Sequence, residues 1–220
     1  MCGRFAIYSS AGVIVEEFSL TAAPDIKPRY NVAPGQELLV VLSGGAANVP
    51  AFYRWGLVPF WAKDPAIGNR MINARSETLT DKPSFRQAFQ CRRCLIPADG
   101  FYEWQKTSEG KQPWYIRPEK EQLLAFAGLW ETWKDTDNNL LHTCTIITRA
   151  ANEFMQPLHA RMPVLLDREE YSAWLNQSAS RDELQELLAD NTPPVLVADR
   201  VTNKVNSPVN DEPGLVKPSL

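Results

Sequence analysis

The apolar positions of this chain come mostly in short blocks bounded by turn residues, and only locally at helical spacing. Residues 37–42 (ELLVVL) and 49–58 (VPAFYRWGLV) predict two strands, with Gly44-Gly45 in the connection. Residues 91–104 (CRRCLIPADGFYEW) predict a strand running into a bend at Asp99-Gly100. Residues 113–117 and 123–132 predict a strand pair. Residues 140–148 (LLHTCTIIT) are strongly β-like, and Asp137-Asn138-Asn139 supplies the preceding turn. Residues 194–205 predict a last strand.

Helical patterns are fewer. Residues 84–89 (SFRQAF) predict a short helix. Asp167 is placed to cap residues 168–175, with Glu170 three positions on. Ser180 is placed to cap 181–189, with Glu183 completing the capping-box pattern. Leu184, Leu187 and Leu188 give that last helix one apolar face. The fold class expected is α+β: a single domain over residues 1–206 with a mixed or antiparallel, barrel-like β core and peripheral helices. Residues 207–220, with Pro208, Pro213 and Pro218 and little to bury, are expected to form a loosely packed tail.

Composition adds boundaries. The 220 residues suffice for a sizeable core, and no apolar run approaches the ~20 residues of a membrane span. The N-terminus lacks a basic start followed by an apolar stretch, so a cytoplasmic protein with reduced cysteines is expected. The net charge of −3 is uneven. Residues 167–190 hold seven acids against two arginines, which leaves the remainder of the chain at +2. Arg4, Arg29, Arg54, Arg70, Arg75, Arg149 and Arg161 all lie in that remainder, so a local basic groove and scattered surface arginines are both open.

Candidate chemistry begins at Cys2. If Met1 is removed, Cys2 carries an α-amine and a β-thiol on one skeleton. Such an aminothiol attacks an aldehyde with nitrogen to give an imine, then closes with sulfur to a thiazolidine. Its amine has a reference pKa of about 7.7–8.0, against about 10.4 for lysine, which suits neutral pH. Taken alone, Cys2 is equally an arbitrary residue on a frayed end. Five further segments have unusual composition: RYNVAPG (29–35), RWGLVPFWAK (54–63), NRMINARSET (69–78), PADGFYEW (97–104) and PLHARMPVLL (157–166).

With MCGRF at the start, these six segments resemble the SOS-response-associated peptidase family, the abasic-site DNA–protein crosslinking proteins. The resemblance runs from Cys2 to about Asn206. It implies recognition of abasic sites in single-stranded DNA and a thiazolidine with the ring-opened sugar. It implies a nucleophile at Cys2, an active-site amide at Asn73, an acid–base carboxyl at Glu103, and a histidine at His159 that serves crosslink reversal or guides the sugar. It implies phosphate contacts at Arg4, Arg75 and Arg161, and a stacking wedge at Trp61 with Phe60. Residue by residue, other roles stand beside these: a turn or cap for Asn73, an outward strand position for Glu103, a structural ring for His159, core packing for Trp61.

A zinc site from Cys91, Cys94, His142 and Cys144 is disfavoured, because residues three apart on a strand face opposite ways. No metal or other cofactor is expected, and the partner expected is single-stranded DNA containing abasic sites, bound by a monomer without a membrane. In a bacterium the protein would be nucleoid-associated. A cysteine peptidase using Cys2 and a noncatalytic single-strand binder are the rival functions.

Overall fold

The computed structural model describes residues 2–190 and 192–219. The elements in chain order are β1 (Phe5–Ile7), α1 (Ala11–Phe18), β2 (Arg29–Val32), β3 (Glu37–Leu42), β4 (Val49–Trp55), β5 (Asn73–Arg75), α2 (Pro83–Cys91), β6 (Arg93–Ala98), β7 (Gly100–Thr107), β8 (Gly110–Pro118), β9 (Leu124–Lys134), β10 (Leu140–Ala150), β11 (Arg161–Pro163), β12 (Leu165–Leu166), α3 (Tyr171–Leu175), α4 (Arg181–Asp190) and β13 (Leu196–Arg200).

Five strands close a barrel in the order β10-β4-β3-β6-β9 and back to β10. Every pairing in the ring is antiparallel except β4 with β10. Closure removes the open edges that a flat sheet leaves exposed. The long strand β10 changes neighbours along its length. One edge pairs first with β9 and then with β11; the other pairs with β4 and then with β5. A second sheet, β13-β8-β7-β1-β2, is antiparallel throughout. Phe5 and Phe101 from that sheet meet Phe126 of the barrel edge-on, at 5.7 and 6.0 Å between ring centres. Complete burial of such side chains contributes roughly 1.5–3 kcal/mol each.

The α+β, barrel-like class expected from sequence is the class observed. Several local details differ. Residues 113–117 and 123–132 do not pair: β8 forms a hairpin with β7, and β9 belongs to the barrel. The turn that joins β7 to β8 places Gly110 at φ 129°, a conformation that favours glycine. The strand expected over 49–58 ends at Trp55, because Gly56 adopts φ 125° and a Cβ there would lie 2.6 Å from the Gly68 carbonyl oxygen. Cys91 closes α2 rather than opening a strand. The helix expected over 168–175 begins as a 3-10 turn before α3. The α4 cap is as expected: Ser180 Oγ accepts from Glu183 N at 3.3 Å, and Glu183 accepts from Ser180 N at 2.7 Å.

The C-terminal tail is packed, not loose. A 3-10 turn over Pro213–Val216 buries Leu215 completely beside Tyr102, Tyr115 and Val205, on the face of the second sheet away from the barrel. Asn31 secures the segment before it, donating from Nδ2 to the carbonyls of Ser207 at 3.0 Å and Asn210 at 2.7 Å. The prolines set turns here, and one leucine is enough to anchor them.

Candidate active site

The register of β1 on β7 creates the site. Phe5 lies opposite Phe101, and Tyr102 N donates to Arg4 O at 2.9 Å. This contact carries the N-terminal segment alongside β7, and both Cys2 and Glu103 are buried, at 0 % and 2 % exposure. Burial pushes the Cys2 thiol up, and the neighbouring Glu103 carboxyl pushes it further. Burial likewise raises the Glu103 carboxyl, while His159 acts in the opposite sense. Cys2 is thus within electrostatic reach of Glu103, and Glu103 of His159.

Asn73 comes from the opposite side. As the first residue of β5 it pairs with Ile146 of β10, and its Nδ2 donates to Cys2 O at 2.9 Å. Its Oδ1 is buried without a hydrogen-bond partner among the described residues. An acceptor left so is costly by about 1–3 kcal/mol unless a ligand satisfies it. His159 lies on the turn leading into β11. Its main-chain N–H donates to Met155 O at 2.9 Å, and Met155 is fully buried. Arg161 N lies 2.9 Å from His159 Nδ1 and can donate to it, and Arg161 O lies 3.1 Å from the same nitrogen and can accept from it.

The structure thus brings Cys2, Asn73, Glu103 and His159 together from four separate segments. The residues expected to meet DNA divide into two groups. Arg75 is exposed, and so are Phe60 and Trp61, at 55 % and 48 %. Their turn is held by Trp133 Nε1, which donates to Ala62 O at 2.7 Å. Trp55, the other tryptophan of that segment, is wholly buried and donates to Ile72 O. Arg4 and Arg161, by contrast, already have protein partners. Arg4 Nη1 donates to Asn31 Oδ1 and to Val205 O, each at 2.9 Å. Arg161 is paired with Glu77. A phosphate reaching either must use the N–H groups left over.

Sequence reasoning missed Asn31 and Glu77. Both lie inside segments singled out by composition, RYNVAPG and NRMINARSET, but nothing in a linear motif shows which arginine each will meet. Of the four side chains considered for zinc, Cys91 is exposed on α2, whereas Cys94 and Cys144 are buried in the barrel wall. His142 stacks on Tyr53 at 5.1 Å.

A buried cysteine at position 2 thus lies near a buried carboxyl and is held by an amide, with an imidazole within electrostatic reach of the carboxyl. Met1 itself lies outside the described residues. The chain belongs to the SOS response associated peptidase (SRAP) family, whose model matches residues 1–208. It is 45 % identical over 222 residues to the abasic site processing protein YoqW of Bacillus subtilis (strain 168), covering 99 % of each chain. It is 44 % identical over 221 residues to YoaM of the same organism, also called an abasic site processing protein, covering 98 % of this chain and 97 % of that one. A crystal structure of a Bacteroides thetaiotaomicron protein superposes with a TM-score of 0.88 at 26 % identity, covering all of both chains.

Proposed function

We propose that this protein processes abasic sites in single-stranded DNA by forming a thiazolidine crosslink through Cys2 after loss of Met1. The observation that carries the reading is the burial of Cys2 within electrostatic reach of the buried Glu103, with the Asn73 amide on the Cys2 carbonyl. The relatives' names supply the substrate class.

The free α-amine of Cys2 attacks C1′ of the ring-opened sugar, and the carbinolamine loses water to give an iminium. Cys2 Sγ then adds to the same carbon and releases its proton, which closes the ring. The balance is aminothiol plus aldehyde giving thiazolidine plus water. Glu103 takes a proton from the incoming ammonium and returns one to the departing hydroxyl. A carboxyl raised by burial suits both directions, and such a group typically contributes 10²- to 10⁴-fold, an order-of-magnitude figure. The Asn73 amide fixes the Cys2 main chain, and its unfilled Oδ1 offers an acceptor to the sugar or the amine. His159 serves the sugar oxygen when the crosslink is reversed.

Phe60 and Trp61 stack on a base beside the lesion, and Arg75 holds a phosphate. Stacking tolerates any base, as a lesion sensor requires. The imine also permits β-elimination, so a weak lyase activity at abasic sites accompanies capture. Cleavage of its own Met1–Cys2 bond is the one peptidase step the reading retains. The test is a gel that resolves covalent adducts: a shifted band forms with abasic single-stranded DNA and not with undamaged DNA of the same sequence.

A further inference from the structure

Glu77 has no role in the chemistry above, yet it joins two walls of the site. It lies in the 3-10 turn Ser76–Thr78 that ends the segment carrying Asn73. Arg161 opens β11, two residues after His159. The two segments flank the same end of β10 on opposite edges: Thr148 is in register with both Arg75 and Pro163. Glu77 and Arg161 meet across that end as a fork. Nη1 donates to Oε1 at 2.5 Å and Nη2 to Oε2 at 2.9 Å, a geometry that only arginine offers a carboxylate. Nη2 also donates to Thr148 O at 2.5 Å. The Arg161 side chain is 18 % exposed. It is pinned by the strand beneath it and by the carboxylate beyond it.

The main chain of Arg161 in turn holds His159. Arg161 N donates to His159 Nδ1 at 2.9 Å, and Arg161 O lies 3.1 Å from the same nitrogen. The N–H can donate to a bare Nδ1, and the carbonyl can accept from a protonated one. One residue therefore meets this nitrogen in either state, and the Arg161 main chain orients the ring.

We propose that Glu77 is a positioning residue: its grip on the Arg161 guanidinium holds the main chain that orients the His159 imidazole, and locks that imidazole to the segment carrying Asn73. The proposal rests on the reading of His159 as a working group of the site. The competing account is that Glu77 only masks Arg161 from DNA phosphate.

The experiment compares the wild-type chain with Glu77→Gln, which loses the charge, and Glu77→Asp, which keeps it. Imidazole nitrogen NMR of the DNA-free protein reads the tautomer directly, and the chain has only two histidines. His142, held at 3.0 Å from Thr132 Oγ1, is the internal reference. The expected result is a single defined tautomer for His159 in the wild type, a tautomer mixture in Glu77→Gln, at least partial recovery in Glu77→Asp, and an unchanged His142. With abasic DNA, Glu77→Gln should release its crosslink about 10-fold more slowly, a loss of the size that misplaced groups produce. Its affinity for undamaged single strands should hold. An unchanged His159 spectrum in Glu77→Gln overturns the proposal. So does several-fold tighter DNA binding with unaltered release, which is the masking outcome. If the wild type forms no crosslink at all, the proposed function fails, and the NMR result still decides the role of Glu77.

Discussion

The Asn73 side-chain amide donates to the main-chain carbonyl of Cys2 across 2.9 Å. It joins β5, at the edge of the barrel strand β10, to the N-terminal segment that leads into β1. Replacing Asn73 with leucine keeps the bulk and removes both polar atoms. The Cys2 carbonyl then loses its partner, at a cost of about 1–3 kcal/mol. Crosslinking in single-turnover experiments should fall by at least about tenfold, with the binding of undamaged DNA little changed. Wild-type crosslinking by this variant would make the contact incidental.

Glu103 carries a prediction in stability as well as in rate. Burial raises its folded pKa, so the fold is penalised wherever the carboxyl is ionised and not where it is protonated. The sign follows from linkage: a raised carboxyl stabilises the fold most below its unfolded pKa, and that stability is lost as pH rises through the folded pKa. Glu103→Gln is neutral at all pH. Its melting temperature should therefore exceed the wild type's above neutrality and lose that advantage in acid, while its crosslinking rate drops by about 10²-fold or more. A melting difference that does not vary with pH would show that Glu103 is not perturbed as described.

Arg75 and Trp61 should separate by salt. Arg75→Ala removes one phosphate contact and should lower the log–log salt slope of DNA affinity by about one. Trp61→Ala removes stacking, worth about 1–3 kcal/mol, and should leave that slope alone. Fluorescence anisotropy over a salt series reads both. Equal slope changes would mean that Trp61 acts through the backbone path and not through a base.

Leu215 is the anchor of the C-terminal segment. Leu215→Ala should destabilise the protein by about 2–5 kcal/mol in urea unfolding, the usual range for a fully buried leucine. A loss below about 0.5 kcal/mol, typical of surface positions, would return the segment to the loose tail its composition suggests.

These residues also mark how far the sequence was legible. The run ELLVVL announced β3, and LLHTCTIIT announced the hub strand β10, because continuous apolar blocks suit a strand covered on both sides. The partners of β8 and β9 were not legible, since pairing depends on which turn closes a hairpin and the short connection at Gly110 carries a weak signal. The burial of Glu103 was equally hidden. Alternation puts Phe101 and Glu103 on one face of β7 and Tyr102 on the other, but both faces are covered: Phe101 packs on the barrel, and Tyr102 in the second cluster with Val205 and Leu215. Residue types drew attention to Cys2, Asn73 and His159. Only the fold reveals that Arg4 and Arg161 are tied to Asn31 and Glu77, because each tie joins segments far apart in the chain.

The central claim is that capture needs the amine and the thiol of one residue, Cys2. The most direct measurement is intact mass of the protein after reaction with an abasic oligonucleotide, for the wild type, Cys2→Ser and Cys2→Ala. The wild type should lack Met1 and gain the mass of the oligonucleotide less one water. Cys2→Ser keeps the amine, so it should yield an adduct only when borohydride reduces the imine. Cys2→Ala should likewise form no stable adduct without reduction. A stable, unreduced adduct in Cys2→Ala, or a wild-type adduct that still carries Met1, would contradict the account.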